Sequence, residues 1–368
     1  MRIALSLLLL ASLSSCAANR VPPVADRRAD SLATALDAQV PGWLASYKVP
    51  SLAVAYIRDG RVAWTRVHGL QSEGVAATEG TLYNVASLTK PVFAEMVLRL
   101  VAANRMSLDE PLATLWVDPD VADDPRHRAL TPRIVLSNRT GFPNWRTDRG
   151  GALRFDFFPG TRYQYSGEGF EYLRRFVERK MEAPVERIAR EYLFEPFGMR
   201  RTSFVEQGWF AGRVAYPADR EGRWGTPRFS SSGNAADRVY TTVGDYATFV
   251  IRAMRHDGLR GSLARQRDSI QGADSSEAVK CRAKGGTRCP TREGYTLGWS
   301  RLDFPDGPML WHTGSDDGEK ALVVYFPQRR EGAVMFMNGE NGFAVAIEAG
   351  LVLFRKTDFA EFLELSRR

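Results

Sequence analysis

Ser87 and Lys90 stand three residues apart at the head of an apolar run from Pro91 to Val101. Within it Val92, Phe93, Met96, Val97, Leu100 and Val101 recur at helical spacing, which predicts a helix ending near Asn104. Residues three apart at a helix start share a face, about one turn apart. A serine placed there meets helix N–H groups that lack partners and can stabilise an oxyanion. A lysine in reach takes the serine proton once burial or a neighbouring cation has lowered its pKa. The chemistry such a pair performs is acyl transfer through a covalent intermediate. Taken alone, the pair also describes an N-cap serine followed by a solvated lysine. It is the chain's one Ser-x-x-Lys, in a sequence with few lysines and many arginines.

Two further groups follow downstream. Tyr165-Ser166-Gly167 lies between a Pro159-Gly160 turn and a helix expected over Gly169 to Glu182. A loop tyrosine there either relays protons or simply bonds its hydroxyl to backbone. His312-Thr313-Gly314 closes an apolar strand expected over Met309 to His312. A strand followed by glycine lets a substrate lie alongside in extended form, with His312 and Thr313 meeting a polar or anionic group. The plainer reading is a strand-end histidine and a turn glycine.

These groups need a scaffold that brings three distant segments together. Arg27 to Tyr47 carries Leu32, Leu36, Val40, Trp43 and Leu44 at helical spacing. Ser51 to Ile57 and Arg61 to His68 are β-rich runs about Asp59-Gly60, a hairpin signal. Helix and loop signals dominate from Met106 to Tyr240: Pro132 to Leu136, Gly169 to Glu182, Val185 to Leu193. Thr241 to His256 reads as a helix with Thr242 as its cap. The last third turns to strands: Tyr295 to Leu302, Met309 to His312, Ala321 to Phe326 and Ala333 to Asn338. A helix over Ala344 to Arg355 closes the chain. The simplest arrangement is α+β: one antiparallel sheet built from both chain ends, helices on its faces, and a mostly helical part inserted. The α/β part takes about 27–80 and 241–356, the helical part about 81–240, and 357–368 reads as a tail.

The balance of charge excludes some classes. The net charge of +7 comes from scattered arginines with no dense basic run, so nucleic acid is not an expected partner. Arg2 followed by the apolar Ile3 to Leu13 reads as an export signal over residues 1–15, too short to span a bilayer. Leu13-Ser14-Ser15-Cys16 resembles the lipobox of bacterial lipoproteins. That implies cleavage before Cys16, lipid attachment to it, and a tether over 16–26. Ala17 in place of an aspartate implies a periplasmic protein anchored in the outer membrane. Export also places Cys281 and Cys289 in an oxidising compartment, so a local disulfide is expected between them. No His or Cys of metal spacing accompanies them.

With the three motifs in this order, the chain resembles the class C β-lactamase and DD-peptidase superfamily of penicillin-binding serine hydrolases. The resemblance extends to Leu108-Asp109-Glu110-Pro111, Thr140-Gly141-Phe142-Pro143, Phe158-Pro159-Gly160-Thr161, Phe194 to Thr202 and Tyr295 to Trp299, and covers about residues 30 to 350. It implies a β-lactamase/transpeptidase-like fold. It also implies Ser87 as the acylated nucleophile, Lys90 as its activator, and Tyr165 sharing the acid/base work. The Ser87 and Ser315 backbone N–H groups would form the oxyanion hole, and no metal or cofactor is needed. Two departures stand out. Gly167 replaces the family's asparagine, which holds a substrate amide, leaving Glu168 or Asn144 as the residues to stand in for it. His312 replaces the lysine of β-lactamases, as in the family's peptidases and esterases. The leading expectation is a serine hydrolase acting on D-amino-acid peptides or small esters. A β-lactamase and a non-catalytic lipoprotein binding peptidoglycan or a partner are the alternatives.

Overall fold

The computed structural model describes residues 26–367. The expected signal segment, Cys16 and most of the tether lie outside the described residues. Helix α1 (Arg27–Tyr47) starts at Asp26, whose carboxylate accepts from the Arg28 and Ala29 N–H groups, each at 3.2 Å. It turns Leu32, Leu36, Val40 and Leu44 inward. Strands β1 (Ser51–Arg58) and β2 (Arg61–Ser72) follow, joined by Asp59 and Gly60 at φ 52° and 69°. Two consecutive positive φ angles match the twist of a two-residue hairpin. The two-residue β3 (Val75–Ala76) adds an outer strand.

The middle of the chain is helical and irregular, as its sequence implies. It holds β4 (Tyr83–Asn84), α2 (Thr89–Ala102), α3 (Pro132–Leu136), α4 (Gly167–Met181), α5 (Val185–Ala189) and α6 (Glu195–Phe197). Strand β5 (Tyr240–Thr241) pairs with β4 and closes this part. Helix α7 (Val243–Met254) begins at Thr242, whose hydroxyl accepts from Asp245 N–H at 3.2 Å. Then come α8 (Gly261–Asp268), β6 (Gly272–Asp274), α9 (Ser276–Ala283), β7 (Arg292–Tyr295), β8 (Ser300–Phe304) and β9 (Gly307–Asp316). The chain continues through β10 (Glu319–Phe326), β11 (Glu331–Met337), α10 (Gly342–Phe354) and α11 (Asp358–Arg367).

Among the described residues one antiparallel sheet runs β3-β2-β1-β11-β10-β9-β8-β7-β6. Strands β1 and β11, the first and last among the described residues, pair inside the sheet, with Leu52 opposite Met337. Both faces are covered, so β1 is buried throughout and its side chains alternate between two cores. Leu52, Val54 and Tyr56 pack with α1, α10 and α11 on one face. Ala53, Ala55 and Ile57 face α2, α4 and α7 on the other. The fold is β-lactamase/transpeptidase-like, with the helical part on one side of the sheet.

Three local expectations are corrected. Tyr295 to Leu302 is not one strand but the end of β7, a turn and the start of β8. The turn exists because Gly298, at φ 98°, rests on α2, where a Cβ would lie 2.3 Å from that of Ala94. The expected tail over 357–368 holds a helix instead, α11. Its Phe359, Phe362 and Leu363 recur at helical spacing and are buried against Phe304, Phe326 and Phe354. Finally, β9 continues past His312, so Thr313, Gly314 and Ser315 belong to the strand.

Candidate active site

Ser87 sits in a 3₁₀ turn (Ala86–Leu88) that leads into α2. Several contacts fix this turn. Val85 N–H donates to Val239 O at 3.0 Å, Tyr246 hydroxyl donates to Leu88 O at 2.9 Å, and Val239 N–H donates to the Thr89 hydroxyl at 2.9 Å. Ala86, the residue before the nucleophile, has φ 45°. A left-handed alanine costs about 1–2 kcal/mol, so its surroundings hold it there. The neighbouring Ala86 and Leu88 N–H groups are engaged, by Asn84 Oδ1 and Val85 O. The Ser87 N–H has no partner among the described residues.

Lys90 is fully buried on the first turn of α2. Its ammonium nitrogen lies 3.2 Å from Ser87 Oγ and donates to Ala236 O at 3.0 Å. Burial lowers its pKa to about 7, against the opposing pull of the Asp237 and Glu171 carboxylates. A neutral amine is therefore accessible at ordinary pH. The Tyr165 ring lies beneath it, 4.6 Å from Nζ to centroid. Burial pushes the Tyr165 phenol above its usual range, and the neighbouring Ser87 hydroxyl offsets part of that rise. Tyr165 is thus a neutral hydroxyl beside Ser87.

The third segment arrives on β9. A Cβ at Gly314 would lie 2.1 Å from Val85 O. Only glycine lets this strand approach the nucleophile turn so closely, and the approach carries Ser315 into the same cleft as Ser87. Gly314→Ala is expected to push the strand out and slow acylation by about a hundredfold or more, as loss of an oxyanion donor does. Stopped-flow acylation by an activated ester measures it.

His312 is 3% exposed, and both ring nitrogens are used. Nδ1 lies 2.7 Å from Thr313 O, which makes it the protonated nitrogen, and Nε2 accepts from the Tyr295 hydroxyl at 2.9 Å. Burial, helped by Lys90, lowers its pKa to about 3. The ring is therefore a neutral group that holds Tyr295 and the strand in place. His312, Thr313 and Ser315 all line the cleft.

The structure also accounts for Gly167. A Cβ there would lie 2.7–3.0 Å from three carbons of the Trp145 ring. Trp145 thus covers the space an asparagine side chain would enter. Glu168 does not substitute: Arg146 engages it through Nε and NH2 at 2.9–3.2 Å. Asn144 lines the cleft, its Oδ1 accepting from Gly167 N–H at 3.0 Å, which turns its amide nitrogen away from that bond.

The cleft measures about 410 Å³ and continues from Ser87 along the sheet edge. Asp274, Ser276, Glu277 and Glu293 wall its far end. Cys281 and Cys289 are joined by a disulfide that ties α9 to the segment before β7. That staple supports this wall from behind, since Glu293 accepts from the Glu277 and Ala278 N–H groups at the start of α9. The segment 205–224 does not line this cleft; its residues border two separate surface hollows. Sequence reasoning missed Ala236, which acts through a carbonyl that every residue possesses, and the acidic wall, which has no motif. Asn144, which follows Gly141-Phe142-Pro143, is the residue of the expected Glu168–Asn144 choice that lines the cleft.

Fold and site together place Ser87 and the buried Lys90 side by side in a cleft on a β-lactamase-like scaffold. The model of the Beta-lactamase family matches residues 29–354, and the chain belongs to that family. Esterase EstB of Burkholderia gladioli is 29% identical over 221 residues, 51% of this chain and 56% of the esterase, so the match spans about half of that relative. Penicillin-binding protein 4 of Amycolatopsis lactamdurans is 25% identical over 320 residues, 80% of this chain and 82% of that protein. Among solved structures, the octameric penicillin-binding protein homologue from Pyrococcus abyssi superposes with a TM-score of 0.73. It shares 19% identity, over 89% of this chain and 79% of that one.

Proposed function

We propose that this protein hydrolyses esters or amides through an acyl-enzyme on Ser87, with small acyl esters or D-amino-acid peptides as substrates. The observation that carries the reading is the fully buried Lys90 amine 3.2 Å from Ser87 Oγ. Neutral Lys90 takes the hydroxyl proton as Oγ bonds to the substrate carbonyl carbon. The Ser87 and Ser315 N–H groups receive the negative charge on the carbonyl oxygen. The proton then passes by Lys90 and Tyr165 to the leaving oxygen or nitrogen as its bond to carbon breaks. Water attacks the ester, its proton returning to the same pair, and Ser87 is released.

The substrate side rests on three observations. The neutral, fully bonded His312 offers no cation for a β-lactam carboxylate. Trp145 fills the space beside Gly167. The matched relatives include an esterase as well as a penicillin-binding protein. We also propose export and lipid attachment at Cys16, which rests on the Leu13-Ser14-Ser15-Cys16 sequence alone.

Intact mass of the soluble form lacking residues 1–16 tests the catalytic reading. A fluorophosphonate and an activated acetyl ester are each expected to add one group, localised to Ser87 by peptide mapping. Steady turnover of a chromogenic cephalosporin would replace the ester reading with a β-lactamase. No adduct from any of these probes or from a penicillin would leave only a binding protein.

A further inference from the structure

A buried polar pair connects the two halves of this site, and the reaction as described does not use it. Asn84 and Glu319 are 3% and 4% exposed. Asn84 lies on β4, three residues before Ser87; Glu319 opens β10, just after the hairpin that carries Ser315 and Asp316. Asn84 uses both ends of its amide. Its Oδ1 accepts from the Ala86 N–H at 3.0 Å, and its Nδ2 donates to Glu319 Oε2 at 2.6 Å. The first bond holds the left-handed Ala86 whose geometry aims Ser87. The second ties that turn to the strand pair bearing Ser315, at the point where Gly314 already lies against Val85 O.

We propose that Asn84 and Glu319 form a clamp that sets the distance between the two halves of the oxyanion hole, and so act as positioning residues for acylation. The proposal rests on the acylation reading above and adds to it. Neither side chain touches substrate. The clamp acts because the Ser87 N–H and Ser315 N–H belong to different segments, 228 positions apart in sequence, and this pair joins them through side chains.

The surroundings of Glu319 explain why the partner is a carboxyl group. Asp316 faces it across the hairpin. Arg238 and Arg228 hold Asp316, at 2.8 and 2.9 Å, and Tyr240 packs beside them from β5. Glu319 Oε1 is buried without a hydrogen-bond partner. Burial raises the pKa of Glu319 to about 7; the Asn84 bond and the two arginines pull down, and Asp316 pushes up. An amide donor is therefore the partner that suits this carboxyl in either protonation state.

The test compares wild type with Asn84→Ala, Asn84→Asp, Glu319→Ala, Glu319→Gln and the Asn84→Ala/Glu319→Ala double variant. It follows the rate of Ser87 labelling by a fluorophosphonate, and kcat and KM for an activated acetyl ester from pH 5.5 to 9. Asn84→Ala and Glu319→Ala are each expected to lose about a hundredfold in kcat, the scale of an ångström of misplacement, with KM nearly unchanged. The double variant is expected to lose no more than the worse single one. Glu319→Gln keeps an acceptor and is expected to recover most of what Glu319→Ala loses. Asn84→Asp places two carboxyl groups together, so its rate is expected to fall, relative to wild type, as pH rises and both would ionise. Wild-type labelling with Asn84→Ala labelled equally fast overturns the clamp alone, as do single losses that multiply in the double variant. Absence of labelling in wild type overturns the acylation reading and the clamp with it. If Asn84→Ala does not fold, equal rates in Glu319→Ala and Glu319→Gln overturn the clamp.

Discussion

Ser87→Ala is expected to lower kcat/KM for an activated ester by about a millionfold, to the level left by binding and the oxyanion donors. The size follows from how the site is built. In the proposed mechanism Lys90, Tyr165 and Ser315 all act on a bond formed by Ser87 Oγ. Without that oxygen Lys90 has no serine proton to take, and the N–H groups can stabilise only the slow direct attack of water. Little compensation is available, because the buried amine lies beside a side chain that can no longer attack. The folded state should be almost unaffected, since Ser87 Oγ contacts Lys90 and Tyr165 and no apolar core is disturbed. Initial rates with variant and wild type at equal thermal midpoints measure the effect. Retention of even a thousandth of the wild-type rate would place the nucleophile elsewhere.

Lys90→Met is expected to show loss of activity together with gain of stability. Removing a general base costs about a hundred- to ten-thousandfold. The wild-type rate should rise with pH through a limb near 7, where Lys90 loses its proton, and that limb should vanish in the variant. The stability side follows from linkage. The folded state releases the Lys90 proton near pH 7, while the unfolded chain keeps it up to 10.5. Between those values the unfolded state binds one more proton, so this group's contribution to stability rises with pH. Below pH 7 the full penalty remains, about 5 kcal/mol at 1.36 kcal/mol per pKa unit. Methionine fills similar space without charge, so the variant should melt several degrees higher at pH 6 and lose that advantage toward pH 10. Thermal melts at both pH values, paired with the rate profile, test it. A lower midpoint at pH 6 would mean that Lys90 is charged and well paired in the fold.

Much of this architecture was legible because it is written in local patterns. The stripe of α1, the Asp59-Gly60 hairpin and the cap at Thr242 depend on neighbours in sequence, and the elements appear where those signals stand. Ser87, Lys90, Tyr165 and the β9 segment were legible for a different reason: their chemistry constrains residue type. What stayed hidden depends on distant contacts. Gly298 reads as a residue within a strand until α2 is packed against it. His312 reads as a cationic contact until burial and the Tyr295 hydroxyl make it neutral. Gly167 reads as a missing side chain until Trp145 is seen in its place. The last helix was hidden because its apolar face is short and its partners, Phe304 and Phe326, lie on strands.

The pairing of Leu52 with Met337 has a consequence for how the molecule is made. A chain leaving the ribosome presents β1 long before β11, because the paired residues Leu52 and Met337 are 285 positions apart in sequence. Until then β1, apolar on both faces, waits with one edge open, which invites pairing with other chains. Contacts so remote in sequence also make closure slow, because a long loop must be ordered before they reward it. The nucleophile turn depends on that closure, since Ser315 arrives on strands made late. The protein should therefore acquire reactivity toward an acylating probe only in the last steps of folding.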